Sequence, residues 1–223
     1  MKIIFLFLAL TTLKPYAQNA SSKQITQWKQ QSNNVSIIRD NYGIPHIYGK
    51  TDADAVFGLL YAQCEDDFKR VEMNYIEKLG RLGEVYGEEK LYDDLLIRMV
   101  IDSADAIADY NRAPKWLKKL CNAFADGINF YLYKNPDVKP ALLHHFQPWY
   151  PLLWTDGSIG AISTADIGPA DLKNLYSGKI DPIALKETQE PSTGSNGFAF
   201  SPMITESHHS ILYINPHVSF YFR

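Results

Sequence analysis

Gly194-Ser195-Asn196-Gly197 sets a serine among small polar residues, directly ahead of the strand-like Phe198-Ala199-Phe200. Taken by itself the tetrapeptide is a turn. It acquires chemistry if the bond between Gly194 and Ser195 breaks, because Ser195 then begins a chain and carries its own base. A free α-amino group has a reference pKa of about 8, close enough to neutrality to take the hydroxyl proton directly or through one water. Further on, Asn215-Pro216-His217 places an imidazole just past a second strand-like stretch. Read by itself, a lone histidine there is an ordinary strand residue with its own partner.

The remaining reactive types carry less. His46, His144, His145, His208 and His209 have no spacing that suggests ligands or a base. Glu65-Asp66-Asp67 and Asp93-Asp94 lie on helical stripes, where carboxylates are more often solvated or ion-paired than acid/base partners. Cys64 and Cys121 sit on apolar-periodic stretches and read as buried free thiols, although an oxidising compartment would allow them to pair. No Cys/His cluster has zinc spacing.

Several elements must position these residues. Val35–Arg39 and Ile44–Tyr48 read as strands around an Asp40-Asn41-Tyr42-Gly43 turn, with Pro45 placing the second strand at an edge or at its own start. Thr51 and Asp54 form an N-terminal cap signal, and the apolar stripe from Val56 to Leu79 predicts a helix ended by Gly80 and Gly83. A second helical region is predicted from about Glu88 to Tyr110, and a third from Pro114 to Tyr133, stopped by Asn135-Pro136. A Pro/aromatic loop, His144 to Pro151, precedes a weaker helical stretch from Thr155 to about Asp166 and a short helix from Leu172 to Tyr176. Ala20 to Asn34 reads as a polar lead-in. Ile180 to Thr193 is a composition break of the kind proteases reach. Beyond it, Gly197–Pro202 and Ser210–Asn215 are strand-like around a polar Thr205–His209 turn.

The 223 residues, 46% hydrophobic and 21% charged, can build a sizeable core. A net charge of −3 with no Lys/Arg block speaks against a nucleic-acid partner. Met1-Lys2 followed by the apolar Ile3–Leu13 is too short for a membrane span, which needs about 20 apolar residues. It has the layout of a secretory signal peptide cleaved after Ala17, so the chain is expected to be exported to the periplasm or secreted.

Ile38-Arg39-Asp40-Asn41-Tyr42-Gly43-Ile44-Pro45-His46-Ile47 resembles the R-D-x-x-G-[IV]-P-H-I stretch of penicillin-acylase-type amidases. These are N-terminal nucleophile hydrolases and include the acyl-homoserine-lactone acylases. Tyr61-Ala62-Gln63, Gly80-Arg81-Leu82-Gly83-Glu84 and Phe124-Ala125-Asp126-Gly127-Ile128-Asn129 resemble successive helices of that family's small subunit. Phe146-Gln147-Pro148-Trp149 through Trp154-Thr155-Asp156 resembles its F-x-P … W-x-x-x-D loop. Gly194-Ser195-Asn196 then matches the small/large subunit junction, and Asn215-Pro216-His217 the next N-x/D-P-[HQ] step.

The resemblance implies an α+β architecture: a mostly helical small-subunit region followed by the first strands of an αββα sandwich. It divides the chain into a signal peptide (1–17), a helical region (18–179), a linker (180–194) and the start of a large subunit (195–223). The precursor would cut itself at Gly194–Ser195 and leave two subunits paired as a heterodimer. Ser195 would then attack a linear amide of an acylated small molecule, with His217 beside it and Asn196, Asn215 and Pro216 as structural motif residues. The helix holding Ile162 and Asp166 would border the acyl pocket. No cofactor is required. Some members bind calcium, chiefly through large-subunit residues, with Asp171 near the one small-subunit ligand. The family's oxyanion donors lie farther along the large subunit than Arg223, so the chain is expected to be a truncated precursor, inactive alone. The alternative is a non-catalytic fragment or a secreted helical binding protein.

Overall fold

A computed structural model describes residues 20–153, 168–178 and 195–216. The chain divides into two compact units, residues 1–173 and 174–223. The first is helical apart from one hairpin.

It opens with α1, Ser22–Ser32, where the sequence reads as a polar lead-in. Ser21 and Gln24 form a reciprocal capping box, which satisfies two amides that a helix start otherwise leaves open. The helix survives its polar composition because Trp28, only 2% exposed, inserts among Phe57, Ala123 and Phe130. Its indole N–H donates to Asp126 at 2.6 Å. β1 (Val35–Arg39) and β2 (Pro45–Gly49) pair antiparallel, Ile37 opposite Ile47, and Pro45 is the first residue of its strand as its missing N–H requires.

α2, Asp52–Lys78, starts on the Thr51 cap, whose hydroxyl accepts from the Asp54 amide. It is interrupted at Asp67 (φ −160°, ψ 75°), whose carboxylate accepts from the Arg70 amide and so caps the second half. An unbroken apolar stripe conceals such a break. α3 (Gly83–Tyr86) and a 3-10 turn (Glu88–Lys90) lead to α4, Leu91–Val100, and α5, Ser103–Arg112. The single helix predicted from Glu88 to Tyr110 is therefore divided. Asp102 accepts from the Ala104 amide and restarts the chain as a new N-cap, a role that short acidic side chains fill well. α6 runs from Lys115 to Lys134 behind Pro114.

α2 and α6 form the centre of the unit. Gly127 permits their approach, since a Cβ there would stand 2.5 Å from the Phe57 carbonyl oxygen. Gly58 does the same for the hairpin, where a Cβ would meet the Val35 and Ile47 side chains. Leu60, Cys64, Ile76, Ile128, Phe146 and Leu153 fill the larger core, with Tyr75 stacked on Tyr150 at 5.8 Å. Two buried polar side chains fasten the loop after α6. Glu72, 2% exposed, accepts from the amides of Ala141, Leu142 and Leu143 at 2.8 to 2.9 Å. Asn129 donates to the Phe146 carbonyl and accepts from its amide. Among the described residues no buried side-chain polar atom lacks a partner.

α7, Pro169–Tyr176, buries Leu172. In the second unit β3 (Ser195–Phe200) and β4 (Ile211–Pro216) form an antiparallel hairpin around a 3-10 turn at Pro202–Ile204. The mostly helical chain with a few short strands is the α+β composition expected from its sequence. No helix among the described residues is long and apolar enough to cross a membrane.

Candidate functional site

The serine step stands at the open end of the second hairpin. Ser195 is the first residue of β3 and lies opposite Pro216, and Asn196 lies opposite Asn215. The register continues through Gly197 and Ile214 to Phe200 and Ile211. Antiparallel pairing thus brings the Ser195-Asn196 and Asn215-Pro216 steps to adjacent strand ends. Pro216 has no N–H and closes the ladder there. Strand alternation puts positions 195, 197 and 199 on one face and positions 196, 198 and 200 on the other. Phe198 lies 6.3 Å from Phe200 and 6.1 Å from Tyr213, which fixes the second face as aromatic. Across the ladder Gly197 lies opposite Ile214 and Ala199 opposite Leu212, so the first face is aliphatic. Gly194, His217, Ile162 and Asp166 fall outside the described residues, as do residues 1–17 expected as a signal peptide, the linker 180–194, the Trp154-Thr155-Asp156 step and the helical stretch expected from Thr155 to about Asp166.

The motif at the β1–β2 turn is a framework. In Arg39-Asp40-Asn41-Tyr42-Gly43-Ile44-Pro45-His46, Asp40 accepts from the amides of Tyr42 and Ile44 and meets His46 Nε2 at 3.2 Å. Desolvation works against the charged carboxylate, but the Ile44 amide, His46 and the Tyr42 amide together hold its pKa below the ordinary value. Arg39 turns the other way. It donates to the Gly43 carbonyl and bridges to Glu65 and Asp66 on α2 at 3.2 and 2.8 Å, and the Glu65 bond foremost raises its already high pKa. The motif therefore ties the β1–β2 turn to α2, and His46 is a structural residue as its place in the sequence suggests.

The acidic groups divide by environment. Glu65, Asp66 and Asp93 are ion-paired, Asp93 with Lys90 at 3.4 Å. Asp94 departs from the solvated face predicted for it. It is 9% exposed and accepts from the amides of Leu82 and Gly83 at 2.7 and 2.8 Å, which fixes the turn between α2 and α3. Asp126 is raised, chiefly by burial, with the Trp28 bond and the His145 charge opposing. Cys64 and Cys121 are both buried and unpaired, and burial pushes the Cys64 thiol up to about 12, far from nucleophilic use. Asp171 accepts from the Gly168 amide at 2.8 Å, and no group of three or more His, Cys, Asp or Glu among the described residues could hold a metal ion. These residues do not fit a calcium site by themselves.

Of the polar anchors of the body, Asn129 lies in the family-like Phe124–Asn129 stretch and Asp94 in the acidic pair read as solvated or ion-paired, whereas Trp28 lies in the stretch read as a polar lead-in. Only the Ser21-x-x-Gln24 spacing ahead of Trp28 was there to be found, as a capping signal.

Parts of this chain are similar to known proteins. A 113-residue stretch, 51% of this chain, is 36% identical to the acyl-homoserine lactone acylase QuiP of Pseudomonas syringae pv. tomato and covers 14% of that protein. A 120-residue stretch, 52% of the chain, is 30% identical to the penicillin acylase 2 proenzyme of Pseudomonas sp. strain SE83 and covers 16% of it. A solved thermostable penicillin G acylase from Alcaligenes faecalis aligns over 72% of this chain and 96% of its own, with 20% identity and a TM-score of 0.47. The chain thus spans about one seventh of the length of the curated relatives it matches. The family model for penicillin amidase matches residues 34–222, from the first strand through the serine step to the end of β4 and beyond. The chain belongs to the penicillin amidase family.

Proposed function

We propose that this chain carries the small-subunit part and the nucleophile of a self-processing acylase acting on linear amides of acylated small molecules. The observation that carries this reading is the family match running unbroken across Gly194–Ser195, with Ser195 at the head of a strand. Cutting before Ser195 would free its amine. That amine takes the hydroxyl proton as the oxygen attacks the amide carbonyl, and returns it to the leaving nitrogen as the C–N bond breaks. Water, activated by the same amine, then releases the acid from the acyl-enzyme. His217, next to the partner of Ser195, would orient the hydroxyl or the substrate. Residues 18–179 would form the small subunit, 180–194 a spacer, and 195 onward the start of the large subunit that pairs with it. Residues 1–17 would direct export to the periplasm or beyond. No cofactor enters the chemistry, and any calcium would be structural.

Relatives from several Pseudomonas strains are named acyl-homoserine lactone acylases, and the resemblance of Asn215-Pro216-His217 to the family's N-x/D-P-[HQ] step implies the histidine form common in that branch. Both support N-acyl-homoserine lactones over penicillin G as the first substrates to try. The test expresses this reading frame with its downstream sequence and reads the N-terminus of each fragment. A fragment beginning at Ser195, together with release of homoserine lactone or of a β-lactam nucleus from an acylated panel, is the expected result. Ser195→Ala should abolish cutting and turnover together, a loss of several orders of magnitude in rate. An uncut chain, or turnover that survives the substitution, overturns the proposal.

A further inference from the structure

We propose that the start of α6 is a contact for an anionic membrane surface, with Trp116 entering the headgroup layer and Lys115 and Lys119 meeting lipid phosphates. This goes beyond amide hydrolysis and does not rest on it. Trp116 is 64% exposed, whereas Trp28 is buried and Trp149 half-buried. Lys115 and Lys119 lie one turn apart and Trp116 and Lys119 three residues apart, so the three share one face. Neither lysine has an ion-pair partner among the described residues. From Tyr110 to Ala125 the sequence contains Arg112, Lys115, Lys118 and Lys119 and no acidic residue, although the whole chain is net negative at −3.

The neighbouring cations are already engaged. Arg112 pairs with Asp109 at 2.5 Å, and Lys118 donates to the Asn111 carbonyl and lies over the Tyr110 ring. Lys115 and Lys119 are left as the free charges. Cys121 is buried and Leu117 and Leu120 are half-buried, whereas Lys115, Trp116 and Lys119 are exposed. The first turn of α6 holds no acid, so the basic residues there oppose the helix dipole and lose helix stability. An anionic partner offsets that loss. Charge complementarity alone would admit any polyanion. The exposed indole favours a membrane, because an amphipathic ring beside lysines suits the boundary between headgroups and acyl chains.

The test floats the full chain with vesicles of phosphatidylcholine mixed with phosphatidylglycerol, and with phosphatidylcholine alone. The apolar run near the N-terminus could itself enter a vesicle, so the reading is the difference between the chain and its variants. Salt-sensitive binding confined to the phosphatidylglycerol vesicles is expected. Lys115→Glu with Lys119→Glu should weaken it at least about 20-fold, from the loss of two lysines near an anionic surface. Trp116→Ser should remove the fluorescence quenching caused by brominated lipid. All three side chains are exposed, so the variants should keep the parent's circular dichroism and melting temperature, and that is checked first. Equal binding by folded variants, or no binding by the parent, overturns the proposal. Retention on heparin without vesicle binding overturns it too, assigning the patch to soluble polyanions.

Discussion

The helical body and the serine hairpin are built from similar fractions of apolar residues and end in opposite states. In the body the apolar side chains find each other: Phe57, Ile76, Ile128, Phe146 and Leu153 are all 2% exposed or less. In the hairpin Phe198, Leu212, Tyr213 and Ile214 are each more than half exposed, on both faces. A two-stranded ribbon is marginal in water and normally needs further strands or a helix over its apolar face. The body thus carries its own packing partners within the described residues, while the strand that begins with Ser195 needs a layer on either side. The contrast bears on the proposed function, because a serine nucleophile at that strand start would perform only when neighbouring elements hold its geometry.

The sharpest way to break the comparison is to truncate one aromatic in each region of the same chain. Phe57→Ala removes a fully buried ring at the meeting of α1, α2 and α6 and should cost about 3–5 kcal/mol, a large part of the stability of a domain this size. Phe198→Ala should change the main unfolding transition by less than about 0.5 kcal/mol, as surface substitutions usually do. Urea titrations followed by near-ultraviolet circular dichroism measure both. Similar losses would mean that the hairpin is packed as firmly as the body.

A buried charge gives the next largest effect. Glu72→Ala strips the acceptor from three amides at once, and an unsatisfied buried donor costs about 1–3 kcal/mol. A total loss of about 3 kcal/mol is expected once the loop partly relaxes, and Glu72→Gln should recover some of it through its remaining carbonyl oxygen. Hydrogen exchange at Ala141, Leu142 and Leu143 should rise in the alanine variant before other amides of the body respond. Uniform acceleration across α2 and α6 would show that Glu72 supports the core generally and not the loop.

How much of this was legible in the sequence follows from the range of the forces involved. Local signals survived: the Thr51 cap, the Pro45 strand start, the Asn135-Pro136 stop and the hairpin around Thr205–His209 are each set by residues a few positions apart. The second hairpin was legible because strand-like residues flank a polar turn, and the register from Ser195 to Pro216 follows from that pairing. What escaped depends on contacts distant in sequence. Asp94 looks like a surface acid until Leu82 and Gly83 turn their amides toward it. Glu72 reads as one polar residue in an amphipathic stripe, although its partners are about 70 residues away. α1 reads as a polar lead-in because a single tryptophan, bonded across 98 residues, is what retains it. Asp67 and Asp102 break helices whose apolar spacing runs on through them, since a short carboxylate can cap a new helix without disturbing the period.

The smallest effect tests whether that tryptophan contact is purely structural. Asp126 sits partly buried under Trp28, and burial is the main reason its pKa is raised, against the opposing Trp28 bond and His145 charge. A carboxyl with a raised folded-state pKa binds its proton more tightly folded than unfolded. Stability must therefore fall as pH rises from its ordinary value of 3.8 through the folded-state value, and stay low above it. Asp126→Asn keeps an oxygen for the indole N–H and removes the charge. The variant should match the parent near pH 4 and exceed it at pH 8, by about 1 kcal/mol at most, the usual size of a single substitution. At pH 8 His145, whose pKa burial lowers, is neutral in both proteins and does not confuse the reading. Melting temperatures across that range measure the difference. A parent more stable than the variant at pH 8 would mean that the charge-assisted Trp28 bond outweighs the cost of burying the carboxylate, and that α1 is held by electrostatics more than by the packing of Trp28 against Phe57 and Phe130.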